Sequence, residues 1–354
     1  LNALTAEFNN EGHFVTYPGY EWSANTHLGG DRNVYFRREG RQIHRSSHAL
    51  LPDISDIDTD ANDAPALFDA LKDEDAVVFA HVGGRWADLT RGHDGRLETA
   101  MEIHSAWGTF EWLMGDALRL GHRVGVVANS DGHKGRPGAS HPSTSEFAAY
   151  GGLTCLLANE LTRDALFECL RARRHYATTG HRLHIDLNVA FEGQAKRWHK
   201  DPAVFGDAGS DTVTSAIMGD IVSYQNDQAE LSFSVETSSP VLSVEIRNGM
   251  DTVGVLRPYA ESALGQRIRV LFSGADRRGK GSRSRWKGTA RVRGAKIERF
   301  GSVAAWNPEL PCRLNDEHTV EFKARTAGNM MGFDLWLDQV DEGSIQIDSG
   351  NGQF

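Results

Sequence analysis

Side chains that commonly bind metal ions follow four short strand-like segments of this chain. The apolar run at 124–128 leads through Asn129 and Ser130 to Asp131-Gly132-His133. Runs at 14–17, 76–80 and 101–103 lead in the same way to a carboxylate or an imidazole. Asp-Gly-His alone is typical of a turn, but its repetition at several strand ends favours a metal site. The candidate ligands are Glu21, His81, His104, Asp131 and His133.

Imidazole nitrogen and carboxylate oxygen are the protein ligands that divalent transition metals prefer. A bridging carboxylate can hold two such ions about 3.5–4 Å apart. The ions lower the pKa of bound water and neutralise charge as a phosphoryl or acyl centre is attacked. The residues therefore predict a hydrolase whose nucleophile is metal-activated water, so no catalytic side chain is assigned.

Three of these segments resemble the later metal-binding motifs of the PHP superfamily, named for polymerase and histidinol phosphatase. They are 18–21 (Pro-Gly-Tyr-Glu), 79–81 (Phe-Ala-His) and 129–133 (Asn-Ser-Asp-Gly-His). Segments 102–105 and 176–180 resemble an uncharacterised branch of this superfamily with an appended β domain. The resemblance implies a distorted (β/α)7 barrel, two or three divalent metal ions (zinc, manganese or iron) and hydrolysis of phosphoesters.

The resemblance also implies a role for each candidate ligand. Glu21 would bridge two metals, and His81 would bind one of them. Asp131 and His133 would bind different ions. His104 would supply a further ligand, with Glu102, two residues earlier on the same strand, as its alternative.

The family's opening His-x-His motif is absent from this sequence, in which only 20 residues precede Glu21. The chain also begins with Leu1 instead of Met. We expect that the first barrel strands are missing from this chain; the alternative is a depleted site.

Strands alternate with helices over residues 1–182, which predicts a parallel sheet. Asp63 and Pro65 are typical of the start of a helix. A second helix is predicted over 109–120, with Gly121 at its end, and a third helix is predicted to begin at Thr162. Ligand-type residues at several strand ends favour a barrel lacking its first strands, because barrel sites form at the carboxyl ends of strands. Residues 183–354 show alternating strands and turn signals, which predict a β-sandwich domain.

Composition limits the partners. A net charge of -10 argues against nucleic acid, and no segment approaches the roughly 20 apolar residues that cross a bilayer. Three scattered cysteines predict neither a disulfide framework nor a cysteine zinc site. We expect a small anionic substrate, bound by Arg32, Arg136 and His27.

The leading prediction is a metal-dependent phosphoesterase. The same metal centre would also suit an amide or carboxylic ester hydrolase. A different alternative is a non-catalytic binding module in which a relict barrel supports the β domain.

Overall fold

A computed structural model describes residues 1–133, 149–226, 228–275, 278, 283–305 and 307–354. Strand accounts for 42% of the structure and helix for 13%. Tertiary contacts divide the chain into two compact units, each made of three segments. The first unit consists of Leu1–Ile103, Leu113–Asn129 and Leu153–Ser238. The second unit consists of His104–Trp112, Ser130–Gly152 and Ser239–Phe354.

The helices are short. Those in the described residues are α1 (Asn2–Phe8), α2 (Ala64–Leu71), α3 (Glu111–Arg119) and α4 (Arg163–Arg171). Two begin as predicted, because the side chains of Asp63 and Thr162 accept hydrogen bonds from backbone N–H groups of the first turn of α2 and α4. The helix predicted over 109–120 is also confirmed, two residues later at its start. None of the described helices has the length and apolar character needed to span a membrane.

The strands fall into several small sheets. The first twelve are β1 (Gly19–Trp22), β2 (Arg32–Phe36), β3 (Ala76–Ala80), β4 (Glu98–Ser105), β5 (Gly108–Thr109), β6 (Gly125–Ala128), β7 (Leu153–Leu156), β8 (His175–Thr178), β9 (Leu183–Trp198), β10 (Ser210–Ile217), β11 (Ile221–Ser223) and β12 (Ala229–Thr237). The others are β13 (Val244–Asn248), β14 (Asp251–Leu256), β15 (Arg267–Ser273), β16 (Ser284–Arg293), β17 (Ile297–Val303), β18 (Cys312–Asp316), β19 (Thr319–Thr326), β20 (Met330–Leu337) and β21 (Ser344–Asp348).

The main sheet of the first unit has the order β1-β2-β3-β4, and β6 also pairs with β4. The pairs β1–β2 and β2–β3 are antiparallel, whereas β3 and β4 are parallel. One face packs Trp22, Val34 and Val78 together with the apolar residues of α2. The opposite face packs Phe79 and the apolar residues of α4 into a second cluster. Burial on both faces makes this sheet the rigid support for the side chains at its edges.

The predicted α/β fold class, a distorted (β/α)7 barrel, is wrong. The sheets in the described residues remain open, and strand greatly outweighs helix. A (β/α) barrel needs a helical crossover after each strand, but residues 81–97, between β3 and β4, contain no helix. Local apolar periodicity identified several strands and helices, but it did not specify the antiparallel pairings of β1, β2 and β3.

The first unit also contains a four-stranded sheet in which β9 pairs with β10, β11 and β12. In addition, β7 and β8 form an antiparallel pair. Helix α4 and the β9 sheet belong to this same unit.

Two small sheets form the core of the second unit. One has the order β15-β20-β17 and the other β18-β19-β16-β21. Phe272, Phe333 and Leu335 of the first sheet share an apolar cluster with Val320 and Phe322 of the second. Along β19 buried and half-buried residues alternate, as expected for a strand with one face on a core.

Candidate functional site

A buried polar cluster lies on one face of the main sheet in the first unit, and we call it the Glu102 cluster. It consists of Asn33, His81, Glu102 and Asn129. His81 follows β3, Glu102 lies on β4, Asn33 lies near the start of β2 and Asn129 follows β6. Because β2 runs antiparallel to β3, its amino end lies at the same edge of the sheet as the carboxyl ends of β3 and β4.

The register explains why these residues meet. Asn33 is opposite Phe79, and Phe79 is opposite Ala100. Successive side chains along a strand alternate between faces, so His81 and Glu102, each two residues further on, share the face of Phe79 and Ala100.

The carboxylate of Glu102 is the centre of the cluster. One oxygen, Oε1, lies 2.6 Å from Nδ1 of His81. The other, Oε2, accepts hydrogen bonds from the side-chain amides of Asn129 at 2.6 Å and Asn33 at 3.4 Å. Glu102 and His81 are each only 2% exposed. Every donor compensates part of the cost of burying the carboxylate.

This arrangement fixes the chemistry of the His81 ring. With Glu102 ionised, Nδ1 donates the hydrogen bond, and Nε2 of the neutral ring carries the lone pair. Histidines that bind metal ions almost always donate their other N–H group to a carboxylate, a carbonyl or water. The His81–Glu102 contact therefore has the geometry of a histidine prepared to bind a metal or to transfer a proton through Nε2.

Gly83 packs close to this nitrogen. A Cβ atom at Gly83 would lie 2.6 Å from Nε2 of His81 and 3.3 Å from Oδ2 of Asp31. Asp31 is fully buried and accepts hydrogen bonds from the backbone and the side chain of Arg85, at 2.8 and 2.9 Å. A side chain at position 83 would thus collide with the His81 ring.

Glu21 and His27 are more exposed than the cluster. Glu21 is opposite Asn33 in the pairing of β1 with β2, and its Oε1 accepts a hydrogen bond from Ser23 Oγ at 2.9 Å. His27 lies in a single 3-10 turn, Thr26–Leu28, and is exposed. The structure therefore brings the strand carrying Glu21 beside the cluster, while His27 stays in a loop.

His104, predicted as a ligand, lies in the second unit and contacts protein through both ring nitrogens. Nδ1 is 2.8 Å from the hydroxyl of Thr109, and Nε2 is 2.8 Å from the carbonyl oxygen of Tyr150. Because the carbonyl only accepts, Nε2 donates to it, and Nδ1 shares a hydrogen bond with the Thr109 hydroxyl. Both contacts give His104 a structural role within its unit.

Asp131 and His133 also lie in the second unit. Asp131 has a φ of 45°, a left-handed conformation that Asp tolerates better than most residues. Nδ1 of His133 is 2.9 Å from the carbonyl oxygen of Asp131, and the imidazole lies edge-on to Trp107 with 6.3 Å between ring centroids. The His133 side chain is 56% exposed and that of Asp131 15%. Residues 131–133 thus form a tight turn that carries both predicted ligands, Asp131 and His133.

The two arginines predicted to bind substrate have different outcomes. Arg136 lies outside the described residues. Arg32 is fully buried, and its Nε donates to Oε1 of Glu98 at 3.0 Å. Its Nη1 and Nη2 donate to the carbonyl oxygens of Gly29 and Gly92. All three nitrogens of the guanidinium group therefore donate hydrogen bonds to protein oxygens inside the first unit. The structure thus gives Arg32 a structural role.

Sequence reasoning missed three polar residues near the sheet edge. Asn33 and Asn129 hold the Glu102 carboxylate, and His93 contacts the second buried carboxylate, Glu98, at 2.7 Å. Asn129 stands directly after an apolar run, so the strand-end argument that selected Asp131 also applied to it. Asn33 lacked such a signal, because it lies near the beginning of its strand.

Among the residues that the structure describes, no group of three or more His, Cys, Asp or Glu side chains is arranged to hold a metal ion. Within the first unit, His81 is the predicted ligand whose surroundings fit metal binding. Glu102 contacts it as an orienting carboxylate.

Comparison with known proteins gives similarity to proteins of unknown function. Residues 127–246 match the family described as "Protein of unknown function (DUF3604)". An uncharacterised protein of Chlamydia pneumoniae is 24% identical over 214 residues, covering 53% of this chain and 32% of the relative. An uncharacterised protein of Chlamydia trachomatis serovar D is 22% identical over 211 residues, with the same coverage. The chain thus spans about a third of the length of these relatives. No solved structure matches it.

The family match includes Asn129, Asp131 and His133, whereas His81 and Glu102 lie before it.

Proposed function

We propose that this chain contributes to a metal-dependent hydrolase centre in which His81 binds a divalent ion through Nε2. The observation that carries this proposal is the 2.6 Å contact between Nδ1 of His81 and the buried carboxylate of Glu102. That carboxylate fixes the orientation of the ring and increases the basicity of the opposite nitrogen. Glu102 is thus a positioning residue for His81.

The neighbouring residues fit this role. Asn33 and Asn129 hold the second oxygen of Glu102, so the carboxylate cannot rotate away from His81 without losing their hydrogen bonds. Gly83 keeps a side chain away from Nε2 of His81. The other ligands suggested by the sequence, Glu21, Asp131 and His133, remain predictions.

A bound zinc, manganese or iron ion would polarise the substrate and activate water at neutral pH. The protein would orient the imidazole and exclude bulk water from its buried side. We propose a small phosphoester as the substrate, with amide and carboxylic esters as the alternatives for the same centre.

Metal content provides the test. The protein, purified without chelators, is expected to contain at least one equivalent of divalent metal per chain. His81→Gln should reduce this content strongly. Glu102→Gln should weaken metal affinity about 10- to 100-fold, the range found when the hydrogen-bond partner of a metal-binding histidine is replaced. Inductively coupled plasma mass spectrometry and competition with a chelating dye measure both effects.

The chain offers a matched control. His93 contacts the buried carboxylate of Glu98 at 2.7 Å, a geometry similar to that of His81 with Glu102. His93, however, lies outside the Glu102 cluster, and its ring stacks on that of His122 with 3.6 Å between ring centroids, so His93→Gln should leave metal content unchanged. Equal metal content in wild type and His81→Gln would overturn the proposed site.

Substrate class is a separate measurement. Metal-loaded protein is assayed with phosphomonoesters, phosphodiesters, carboxylic esters and amides, and activity should fall in His81→Gln for whichever class is hydrolysed. Absence of turnover with all four, in protein that binds metal through His81, would favour a non-catalytic binding module.

A further inference from the structure

The first unit contains a large cavity that the proposed metal chemistry does not use. Its volume is about 660 Å³, within the range of small-molecule sites. Its wall includes Leu97 and Thr99 near the amino end of β4, whereas Glu102 lies toward the carboxyl end of the same strand. The end of α4 and the end of β9 complete the wall. We call it the arginine cavity.

The lining of the arginine cavity is basic although the chain carries a net charge of -10. It contains seven lysines and arginines and four aspartates and glutamates. Five of these seven cations already have carboxylate partners, such as Arg174 with Asp220 at 2.7 Å and Arg197 with Asp211 at 2.6 Å. The other three are Lys72, Arg96 and Arg171. Within the described residues, Arg173 and Lys200 are the lining cations that have no carboxylate within 4.0 Å. Cations of this kind in a concave wall attract anions from solution.

Arg173 differs from these paired arginines. Within the described residues, no carboxylate lies within 4.0 Å of its guanidinium group. Its hydrogen bonds are two long ones to the carbonyl oxygens of Arg171 and Gly219, both at 3.4 Å. The strong planar donor groups of Arg173 are thus poorly matched by the protein itself.

Burial also disfavours the charged form of the Arg173 guanidinium group. It lowers the pKa of the Arg173 guanidinium below its ordinary value. Asp201 and Asp220 act in the opposite direction, while the nearby cations Arg174 and Arg123 lower the pKa further. An anion bound beside Arg173 would compensate both the lost solvation and the like-charge repulsion.

The backbone of Arg173 has a conformation that is uncommon for residues other than glycine. Arg173 follows the end of α4 with a φ of 57°, a conformation in which glycine is the usual residue. Gly219 packs so closely that a Cβ atom there would lie 2.7 Å from the carbonyl carbon of Arg173. The strained backbone of Arg173 is therefore fixed by packing. Strain of this kind is often found at functional sites.

We propose that the arginine cavity binds a phosphate-bearing small molecule, with Arg173 as its main anion-binding side chain. Guanidinium groups bind phosphate oxygens through two parallel hydrogen bonds, which makes arginine better suited than lysine to this ligand. Trp198 and Phe205 also line the cavity and provide apolar surface for the rest of the molecule. This site is independent of the proposed metal centre.

Binding of inorganic phosphate to the whole protein tests the proposal. Isothermal titration calorimetry and thermal unfolding are measured with phosphate, and with chloride or succinate at the same ionic strength. Phosphate should bind with measurable heat and raise the unfolding temperature more than either comparison anion.

Arg173→Gly is the decisive variant, because glycine adopts the backbone conformation of this position without strain. It should fold at least as well as wild type and bind phosphate at least about 10-fold more weakly, as expected for losing charge-assisted hydrogen bonds. Arg38→Gln is the control, since Arg38 is an exposed arginine outside the cavity lining, and it should bind phosphate like wild type. Unchanged phosphate affinity in Arg173→Gly, or equal stabilisation of wild type by phosphate and chloride, would overturn the proposal.

Discussion

Replacing Arg32 by methionine tests whether this arginine has a structural role. The substitution keeps a long side chain but removes the guanidinium group. That group donates to Glu98 at 3.0 Å, to the Gly92 carbonyl at 2.9 Å and to the Gly29 carbonyl. Both Arg32 and Glu98 are fully buried. We expect folding to be impaired, because water cannot readily replace these contacts.

The magnitude follows from what the substitution leaves behind. Among the described residues, His93, at 2.7 Å, would be the one side chain still hydrogen-bonded to the Glu98 carboxylate. Removing one member of a buried ion pair costs about 3–5 kcal/mol, because the remaining charge is uncompensated. Each carbonyl that loses its donor adds about 1–3 kcal/mol before the structure relaxes. A loss of at least about 4 kcal/mol in the free energy of unfolding is therefore expected at neutral pH.

The loss should depend on pH. Burial acts to raise the pKa of Glu98, but Arg32 and His93 hold it below its ordinary value. In wild type the carboxylate therefore stabilises the fold above its unfolded pKa of about 4.3, and this contribution disappears as pH falls through the lower folded pKa. Without Arg32 the buried carboxyl binds a proton more readily, so the difference between wild type and Arg32→Met should shrink at pH 4.

Urea denaturation followed by tryptophan fluorescence at pH 7 and pH 4 measures both effects. Arg38→Met is the control, because Arg38 and its partner Asp164 are both exposed, and such pairs contribute about 0–1 kcal/mol. A change below about 1 kcal/mol for Arg32→Met at pH 7 would refute the structural role inferred from the buried contacts. A large loss that is the same at both pH values would show that Glu98 is not the group left uncompensated.

Two further predictions concern the cores of the two units. Leu67→Ala, at a fully buried position of α2, should cost about 2–5 kcal/mol in urea denaturation, whereas Leu50→Ala, at a 95% exposed position, should change stability by less than about 0.5 kcal/mol; equal effects would contradict the assigned core. Burial acts to raise the pKa of Asp334, but Arg269 and Arg267 hold it below its ordinary value. Wild type should therefore lose stability as pH falls below about 3.9, while Asp334→Asn should be less stable at pH 7 and lose less on acidification; parallel pH profiles would contradict this pairing.

Local sequence was sufficient for several helices and strands. The apolar spacing at Leu67, Phe68 and Leu71 and the capping residue Asp63 identified α2, and the apolar run at 76–80 identified β3. These signals are local, because capping and periodicity depend on residues within a few positions of one another. The barrel prediction failed because the direction in which two strands pair is not a local property.

In the candidate site, too, the sequence identified individual residues but not their contacts. Sequence alone selected His81 as a ligand and held Glu102 only as an alternative to His104. It could not establish that Glu102 orients His81, because their contact joins residues 21 positions apart. Nor could it show that Nδ1 and Nε2 of His104 both meet protein oxygens.

The sequence by itself therefore determined residue types, several helices and strands and the chemistry that histidines and carboxylates at strand ends can perform. Tertiary structure decided which of these side chains meet. The Asn33–Glu102 contact depends on the register of β2, β3 and β4, and Arg173 became a candidate anion-binding residue only when folding placed it in a basic cavity. The physical reason is that register and burial arise from packing between distant segments, so they set the partners, exposure and pKa of a side chain beyond what its neighbours in sequence can specify.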